Sequence, residues 1–231
     1  MVDCGRPGRR AFLLSIPALA VGCDTSRPRA GVLGAAERLN LSVQRFLQSP
    51  DRLSPTPRLD EVTPLADFPV YFVSQSLPVA PPGWKVRVGG LVDRPLELSL
   101  DDLRRMTRTD IRVRHHCVEG WSAMASWQGV RVADLARAAG ARPEAGFVEF
   151  SSFDGGYYSS WDRESADHPQ TILAYGMNGE PLSPQHGGPL RLYGAVKLGY
   201  KSVKYLDEIR FLASPTGGFW EDRGYEWYAG V

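Results

Sequence analysis

From residue 84 onward, apolar and polar positions alternate in short runs separated by glycine, proline and asparagine, the period-two pattern of half-buried strands. WKVRVGGLV (84–92), IRVRHHC (111–117) and GFVEFSSF (146–153) each predict a strand, and the second delivers Cys117 at its end. TILAYGMNGEPL (171–182) predicts a strand entering an Asn178-Gly179 turn, a strong hairpin signal because both residue types accept positive φ. LRLYG, KSVKYLDEIRFL and the aromatic tail GFWEDRGYEWYAGV read as further short strands with loops. Two segments switch to a helical period. In LSLDDLRRM, Ser99 can cap the amino terminus, with Asp102 completing a capping box; VRVADLARAAG is closed by Gly140. The amphipathic stretch AAERLNLSVQRFL (35–47) predicts one more helix, beside an extended lead-in without evident chemistry. No internal repeat occurs, and no linker follows residue 70, so the pattern predicts a single α+β unit.

The amino terminus breaks this pattern. In GRPGRRAFLLSIPALAVGCD (5–24), paired Arg9 and Arg10 precede an apolar run from Ala11 to Val21. That run is short of the roughly 20 residues a bilayer requires, and has the length of a secretory signal core. RRAFLL resembles the twin-arginine motif, which implies the twin-arginine export machinery as a partner and a periplasmic or exported destination for a protein folded before transport. AVGC resembles a lipobox, in which Cys23 is lipidated and anchors the chain; cleavage by ordinary signal peptidase is the alternative. The expected organisation is a signal peptide at 1–22, a lead-in at 23–64 and a folded domain at 65–231.

Composition narrows the classes. With 43% hydrophobic and 23% charged residues among 231, the chain can bury a core, which excludes a disordered protein. The net charge of +1 falls to −1 once residues 1–22, with three arginines and one aspartate, are removed. There is no basic stripe of the kind a nucleic-acid binder needs. Of three cysteines, Cys4 leaves with the signal and Cys23 becomes terminal, so only Cys117 remains in the body. A lone thiol forms no internal disulfide framework; it is either buried and inert or chemically employed.

Around Cys117 the sequence reads RHHCVEGWSAMASWQGVRVADL. Cysteine beside histidine admits nucleophilic thiolate chemistry or metal binding. Strand neighbours point to opposite faces, so His115 shares the face of Cys117 and His116 does not. Paired CxxC or HxxxH spacings are missing, which argues against zinc. The residues alone leave open a metal-free thiol enzyme in which His115 activates Cys117.

The ordered set CVEGWS, WQGV, LAYGMNGEPLSPQHGGPLRL, LGYKSVKYLDEI and GFWEDRGYEWYAGV resembles the oxidoreductase molybdopterin-binding family, the catalytic fold of sulfite oxidases, across roughly residues 65–231. Within it, the resemblance is to exported bacterial molybdoenzymes related to the catalytic subunit of the periplasmic methionine-sulfoxide reductase. It implies an α+β fold of mixed sheets and short helices, without the carboxy-terminal immunoglobulin-like domain of sulfite oxidases, and hence a monomer. It also implies a Mo-molybdopterin cofactor with Cys117 as the metal thiolate. His115 joins Cys117 in the cofactor site, and His186, Arg191, Gly199, Tyr200, Lys201 and Lys204 match positions that hold the cofactor. Gly187 and Gly188 would admit close approach of backbone to the ligand. Ser152, 35 residues after Cys117, stands where the related reductase has a hydroxyl residue on the cofactor, and Tyr71 and Phe72 lie in the lead-in that flanks the pterin in relatives. Tyr157 aligns with an active-site tyrosine, with Tyr158 as the alternative if the register slips. Lys197 reads as a solvated surface charge, and Trp121, Trp127, Trp161, Trp220 and Trp227 as packing.

The resemblance departs from sulfite oxidase at the substrate side. Trp121 and Ser122, and Ser74, Gln75 and Ser76, stand where sulfite oxidases carry cationic or polar anion-binding residues. A dianion there would lack compensating charge, so a neutral small oxide such as a sulfoxide or N-oxide is the expected substrate. CxxCH and GxGxxG are absent, which implies a separate electron-transfer partner, a membrane haem protein being the expected kind. A non-catalytic exported ligand-binding module of the same fold is the non-enzyme alternative.

Overall fold

The computed structural model describes residues 31–47, 52–71 and 73–231; the expected signal peptide at 1–22, Cys23 and Phe72 lie outside the described residues. Helix α1 (Gly31–Leu47) precedes the sheets. The first sheet has the order β2-β1-β10-β5-β6, formed by β1 (Val86–Gly90), β2 (Leu96–Leu98), β5 (Phe147–Ser152), β6 (Tyr158–Asp162) and β10 (Leu206–Leu212). Only the β1–β10 pair is parallel, so the sheet is mixed. The second sheet has the order β3-β4-β7-β8, from β3 (Arg108–His116), β4 (Ser122–Arg131), β7 (Thr171–Met177) and β8 (Glu180–Pro181), with β9 (Arg191–Gly194) also paired to β7. Helices α2 (Leu100–Arg105), α3 (Val132–Ala139) and α4 (Arg163–Asp167) are short connectors.

Local chemistry sets the element ends. Ser99 and Asp102 form the predicted capping box of α2, the Asp102 N–H donating to Ser99 Oγ at 3.2 Å and the Ser99 N–H to Asp102 Oδ2 at 2.9 Å. Gly140 ends α3 in the left-handed region at φ 67°, its N–H donating to the Ala136 and Arg137 carbonyls. The Asn178-Gly179 turn joins β7 to β8 as predicted. Three strands that the sequence reading did not assign, β2, β4 and β6, complete the sheets. The aromatic tail differs as well: beyond β10 it holds a 3₁₀ turn at Glu221–Arg223 and single bridges rather than strands.

Alternation along β3 and β4 builds one face of the second core. Ile111 pairs with Trp127, Val113 with Ala125 and His115 with Ala123, and all six are buried. Trp127 stacks on Tyr193 of β9 with centroids 4.4 Å apart. Trp161 of β6 is equally buried in the first core, its indole N–H donating to the Lys201 carbonyl at 3.0 Å. Burying a large side chain of this kind contributes roughly 1.5–3 kcal/mol, so these tryptophans are packing, as expected.

Lys197 corrects its reading. Its ammonium is buried, 3.1 Å from Asp162 Oδ2 and 3.3 Å from the centroid of the Tyr228 ring. Burial alone would raise the Asp162 pKa, but the Lys197 charge and the Ser165 N–H outweigh it and hold the carboxyl below its ordinary value. A depressed carboxylate stabilises the fold above its unfolded pKa, near 3.8, and that contribution disappears as pH falls through the lower folded value. Asp162→Asn is therefore expected to flatten the acid limb of the stability–pH curve below about pH 4. Lys197→Met, which strands the carboxylate, is expected to lower unfolding stability at neutral pH by about 3–5 kcal/mol. Urea titrations across pH check both.

Candidate active site

β3 and the turn that follows it bring two functional side chains to one end of the second sheet. His115 is buried on the core side of the strand and Cys117 follows immediately, its N–H donating to the Trp121 carbonyl at 3.0 Å across the turn into β4. Both line an open cavity of about 170 Å³ whose walls come from both sheets: the 68–73 lead-in, the 154–157 loop between β5 and β6, His186 and Arg191 before and in β9, the 199–205 loop, and the tail at Trp220 and Tyr225.

The inner part of the cavity is cationic, and neither of its two cations, Arg191 and Lys204, forms an ion pair with a carboxylate among the described residues. Arg191 is buried, donating to the His186 carbonyl at 2.8 Å and lying 4.9 Å from the Trp127 ring, and no carboxylate among the described residues pairs with it. Burial pulls its pKa down to about 10, so the charge persists at neutral pH. Lys204 donates to the carbonyls of Tyr71 at 2.5 Å and Gln185 at 3.3 Å; burial first, and Arg191 second, lower its pKa to about 7. The same environment keeps His115 neutral, its pKa lowered to about 3 by burial and then by Arg191, His116 and Lys204, and lowers that of His186.

Around these cations are buried polar atoms with no partner among the described residues: Ser202 Oγ, Tyr205 O–H and Asp154 Oδ1, all three in cavity-lining residues. A buried polar atom left unpaired is costly, so the two hydroxyls and the carboxylate oxygen are groups that a ligand in the cavity would satisfy. The backbone makes room. A Cβ on Gly199 would lie 2.6 Å from His115 Nε2, and one on Gly187, at φ 101°, would lie 2.7 Å from Lys204 Cγ. Two unneutralised cations and two free hydroxyls fit a phosphate-bearing ligand with amide-like edges, which is what a molybdopterin presents.

At the other end, the Cys117 thiol donates to Glu119 Oε2 at 3.8 Å, and that oxygen also accepts from the Trp121 indole at 3.0 Å. Burial and the Glu119 charge raise the thiol pKa. No group of three or more histidine, cysteine, aspartate or glutamate side chains that could hold a metal occurs among the described residues. A metal at Cys117 must therefore bring further donors with it, and a dithiolene-bearing cofactor does so.

The structure brings together Tyr71, His115, Cys117, Tyr157, His186, Arg191, Gly199, Tyr200 and Lys204 of the sequence-derived set. Tyr157, rather than Tyr158, faces the cavity, donating to the Tyr200 carbonyl at 2.5 Å, whereas the Tyr158 hydroxyl turns to Asp222. Lys201 requires correction: its ammonium is bound to Glu221 at 2.5 Å and to the Ser160 carbonyl at 2.8 Å, outside the cavity wall. Ser152 also stands behind the wall, its hydroxyl donating to the Tyr205 carbonyl at 3.3 Å and accepting from the Asp154 N–H at 3.3 Å, so it supports two wall residues. Sequence reasoning missed Phe68, Asp154, Ser202 and Tyr205 as wall residues and took Trp121 and Trp220 for packing. The run Asp154-Gly155-Gly156 is a turn signal that could have placed a loop there, though not its direction.

Residues 74–220 match the model of the oxidoreductase molybdopterin binding domain. A chain of Azospira oryzae named "Putative protein-methionine-sulfoxide reductase subunit YedZ1" is 36% identical over 232 residues, covering 97% of this chain and 88% of its own length. "Uncharacterized oxidoreductase YuiH" of Bacillus subtilis is 40% identical over 143 residues, 62% of this chain and 72% of its own. The catalytic subunit MsrP of a protein-methionine-sulfoxide reductase from Xanthomonas axonopodis pv. citri is 35% identical over 154 residues, 60% of this chain and 48% of its own, so this chain spans about half the length of that relative. The sulfane dehydrogenase SoxCD of Paracoccus pantotrophus superposes with a TM-score of 0.63 over 92% of this chain and 61% of its own, at 20% identity, a likeness of fold. With its matched segment enclosing Cys117, Arg191 and Lys204, the chain belongs to the oxidoreductase molybdopterin-binding family and is a molybdenum-cofactor-dependent oxidoreductase.

Proposed function

We propose that this protein reduces a neutral sulfoxide at a molybdenum held by Cys117, as the exported catalytic subunit of a two-component system fed by a membrane haem protein. The observation that carries the reading is the polarity of the cavity: two uncompensated cations at the inner end, Arg191 and Lys204, and a thiol flanked by a carboxylate at the other, Cys117 beside Glu119. The cofactor, when bound, supplies a two-electron couple suited to oxygen-atom transfer. Arg191, Lys204, Ser202 and Tyr205 would hold its phosphate and polar edges, and Cys117 its metal.

The substrate side follows from charge. Glu119 and the Trp121 indole stand beside Cys117, where a dianion such as sulfite would meet a carboxylate and an apolar ring, while Val118 and Tyr225 add apolar surface. A sulfoxide is neutral, and its reduction consumes two electrons and two protons and yields a sulfide and water. Tyr157 stays protonated because burial, reinforced by Glu221, raises its pKa, so it acts as a hydrogen-bond donor and never as a phenolate base. The names of the Azospira and Xanthomonas relatives, which specify a protein-methionine-sulfoxide reductase subunit and its catalytic subunit, support both the sulfoxide and the separate electron partner. Export and a lipid anchor at Cys23 rest on the Arg9-Arg10 pair and the AVGC run, with 1–22 removed and 65–231 as the cofactor domain. A metal-free thiol enzyme is disfavoured, since the Cys117 thiol pairs with a carboxylate and its pKa rises, opposite to what a nucleophile needs.

Protein purified from a host that makes the cofactor is expected to contain molybdenum near one per chain by mass spectrometry; a value near zero would sink the proposal. Cys117→Ser is expected to keep the circular-dichroism spectrum and to lower dye-linked sulfoxide reduction by at least about 100-fold.

Lys204 gives a pH signature. With a pKa of about 7 in the ligand-free cavity, it is charged below that value and must take up a proton to meet an anion above it. The affinity of cofactor-free protein for pyrophosphate, by calorimetry, is therefore expected to fall as pH rises through about 7, by up to about tenfold per unit. Lys204→Met is expected to remove that slope while weakening binding at low pH.

A further inference from the structure

The segment after β10 supplies one wall of the cavity. Gly218 bridges Ser159 of β6, and the Phe219 N–H donates to the Tyr158 carbonyl at 2.8 Å. The segment thus lies along the outer strand of the first sheet and pairs backbone groups that an edge would expose. It then turns through Glu221–Arg223, leaving Trp220 and Tyr225 facing the cavity with ring centroids 5.0 Å apart. Phe219 stacks on Tyr157 at 5.2 Å, so the turn also supports the cavity tyrosine.

A buried charge holds that turn in place. Glu221 Oε1 accepts from Lys201 Nζ at 2.5 Å and from Ser159 Oγ at 2.6 Å, the two ion-pair side chains being 0% and 4% exposed. Lys201 in turn donates to the Ser160 carbonyl of β6. The carboxylate next to Trp220 is therefore fixed both to β6 and to the 3₁₀ turn at Gly199–Lys201 that carries Tyr200. Apolar packing would cover a sheet edge at less desolvation cost, whereas a buried ion pair fixes direction and register. Its place beside two wall residues is where direction matters.

We propose that Glu221 is a positioning residue, which through Lys201 and Ser159 fixes Trp220 and Tyr225 as a rigid wall and so limits the width of substrate that reaches Cys117. The inference rests on the sulfoxide reading only for its turnover assay. The test compares the wild-type holoenzyme with Glu221→Gln and Glu221→Asp, following tryptic cleavage after Arg223 by mass spectrometry and dye-linked reduction of dimethyl sulfoxide and diphenyl sulfoxide. Cleavage is expected to quicken about tenfold in Glu221→Gln, because the turn opens more often. The KM for diphenyl sulfoxide is expected to fall about tenfold relative to that for dimethyl sulfoxide, with kcat within about twofold, and Glu221→Asp is expected to recover at least half of both effects. Faster cleavage with an unchanged KM ratio overturns the proposal, as does a loss of kcat on both substrates with no recovery in Glu221→Asp. Tyr225→Ala opens the same wall without touching the ion pair; it is expected to shift the KM ratio in the same direction, which keeps the test decisive if Glu221→Gln does not fold. If the wild type reduces neither sulfoxide, the functional reading fails, and the wall is judged by pterin loss from the holoenzyme, read by fluorescence. Loss about tenfold faster in Glu221→Gln supports the proposal, and an unchanged rate overturns it.

Discussion

Arg191 is the constraint around which the cavity is arranged. A guanidinium taken out of water without a carboxylate is expensive, and among the described residues the protein offers carbonyl oxygens and the face of Trp127 in return. Such a charge persists because Arg191 stands on β9, whose pairing with β7 is fixed by the packing of Leu192 and Tyr193 in the two cores. Burial first, and then the field Arg191 generates, lower the pKa values of Lys204, His115 and His186. An anion in the cavity would relieve all of these costs together, so the fold alone is complete only in its backbone and cores.

The opposite end obeys a different logic. Cys117 sits where β3 gives way to a turn, and its position depends on the strand register that buries His115 against Ala123. A one-residue slip would exchange the faces of β3 and move every cavity side chain on that strand to the solvent side. Thiol placement and core packing are therefore the same fact, which explains how Cys117 is held with no group of protein metal ligands near it among the described residues.

Much of this was legible in the sequence, and the failures share causes. Helices α2 and α3 carried their own caps, and the Asn178-Gly179 turn carried its own backbone preference, so local chemistry sufficed. β4 escaped because SAMAS is built of residues with weak strand preference; pairing with β3 on one side and β7 on the other makes it a strand. Arg191, Cys117 and Tyr157 could be matched to a family pattern. Phe68 and Tyr205 could not be found in this way, because an aromatic residue on a loop looks the same whether it packs inward or lines a cavity. Tyr205 adopts φ 56°, a conformation no sequence rule anticipates for tyrosine.

The lysines show why sequence assigns charge but not purpose. Lys197, Lys201 and Lys204 lie within eight residues, and residue type distinguishes none of them. Folding brings Asp162 to Lys197 and Glu221 to Lys201, carboxylates 35 and 20 residues away along the chain, and both ammonium groups become part of the scaffold. Lys204 receives carbonyl oxygens and no carboxylate among the described residues, and it sits within the field of Arg191. In a region of low dielectric, a cation that the fold has neutralised has no further use for an anion, while one it has left bare retains its full attraction for one. The division between structure and ligand binding is thus set by where the acidic side chains go, and the carboxylate that neutralises Lys201 is also the one that fixes the wall of the cavity.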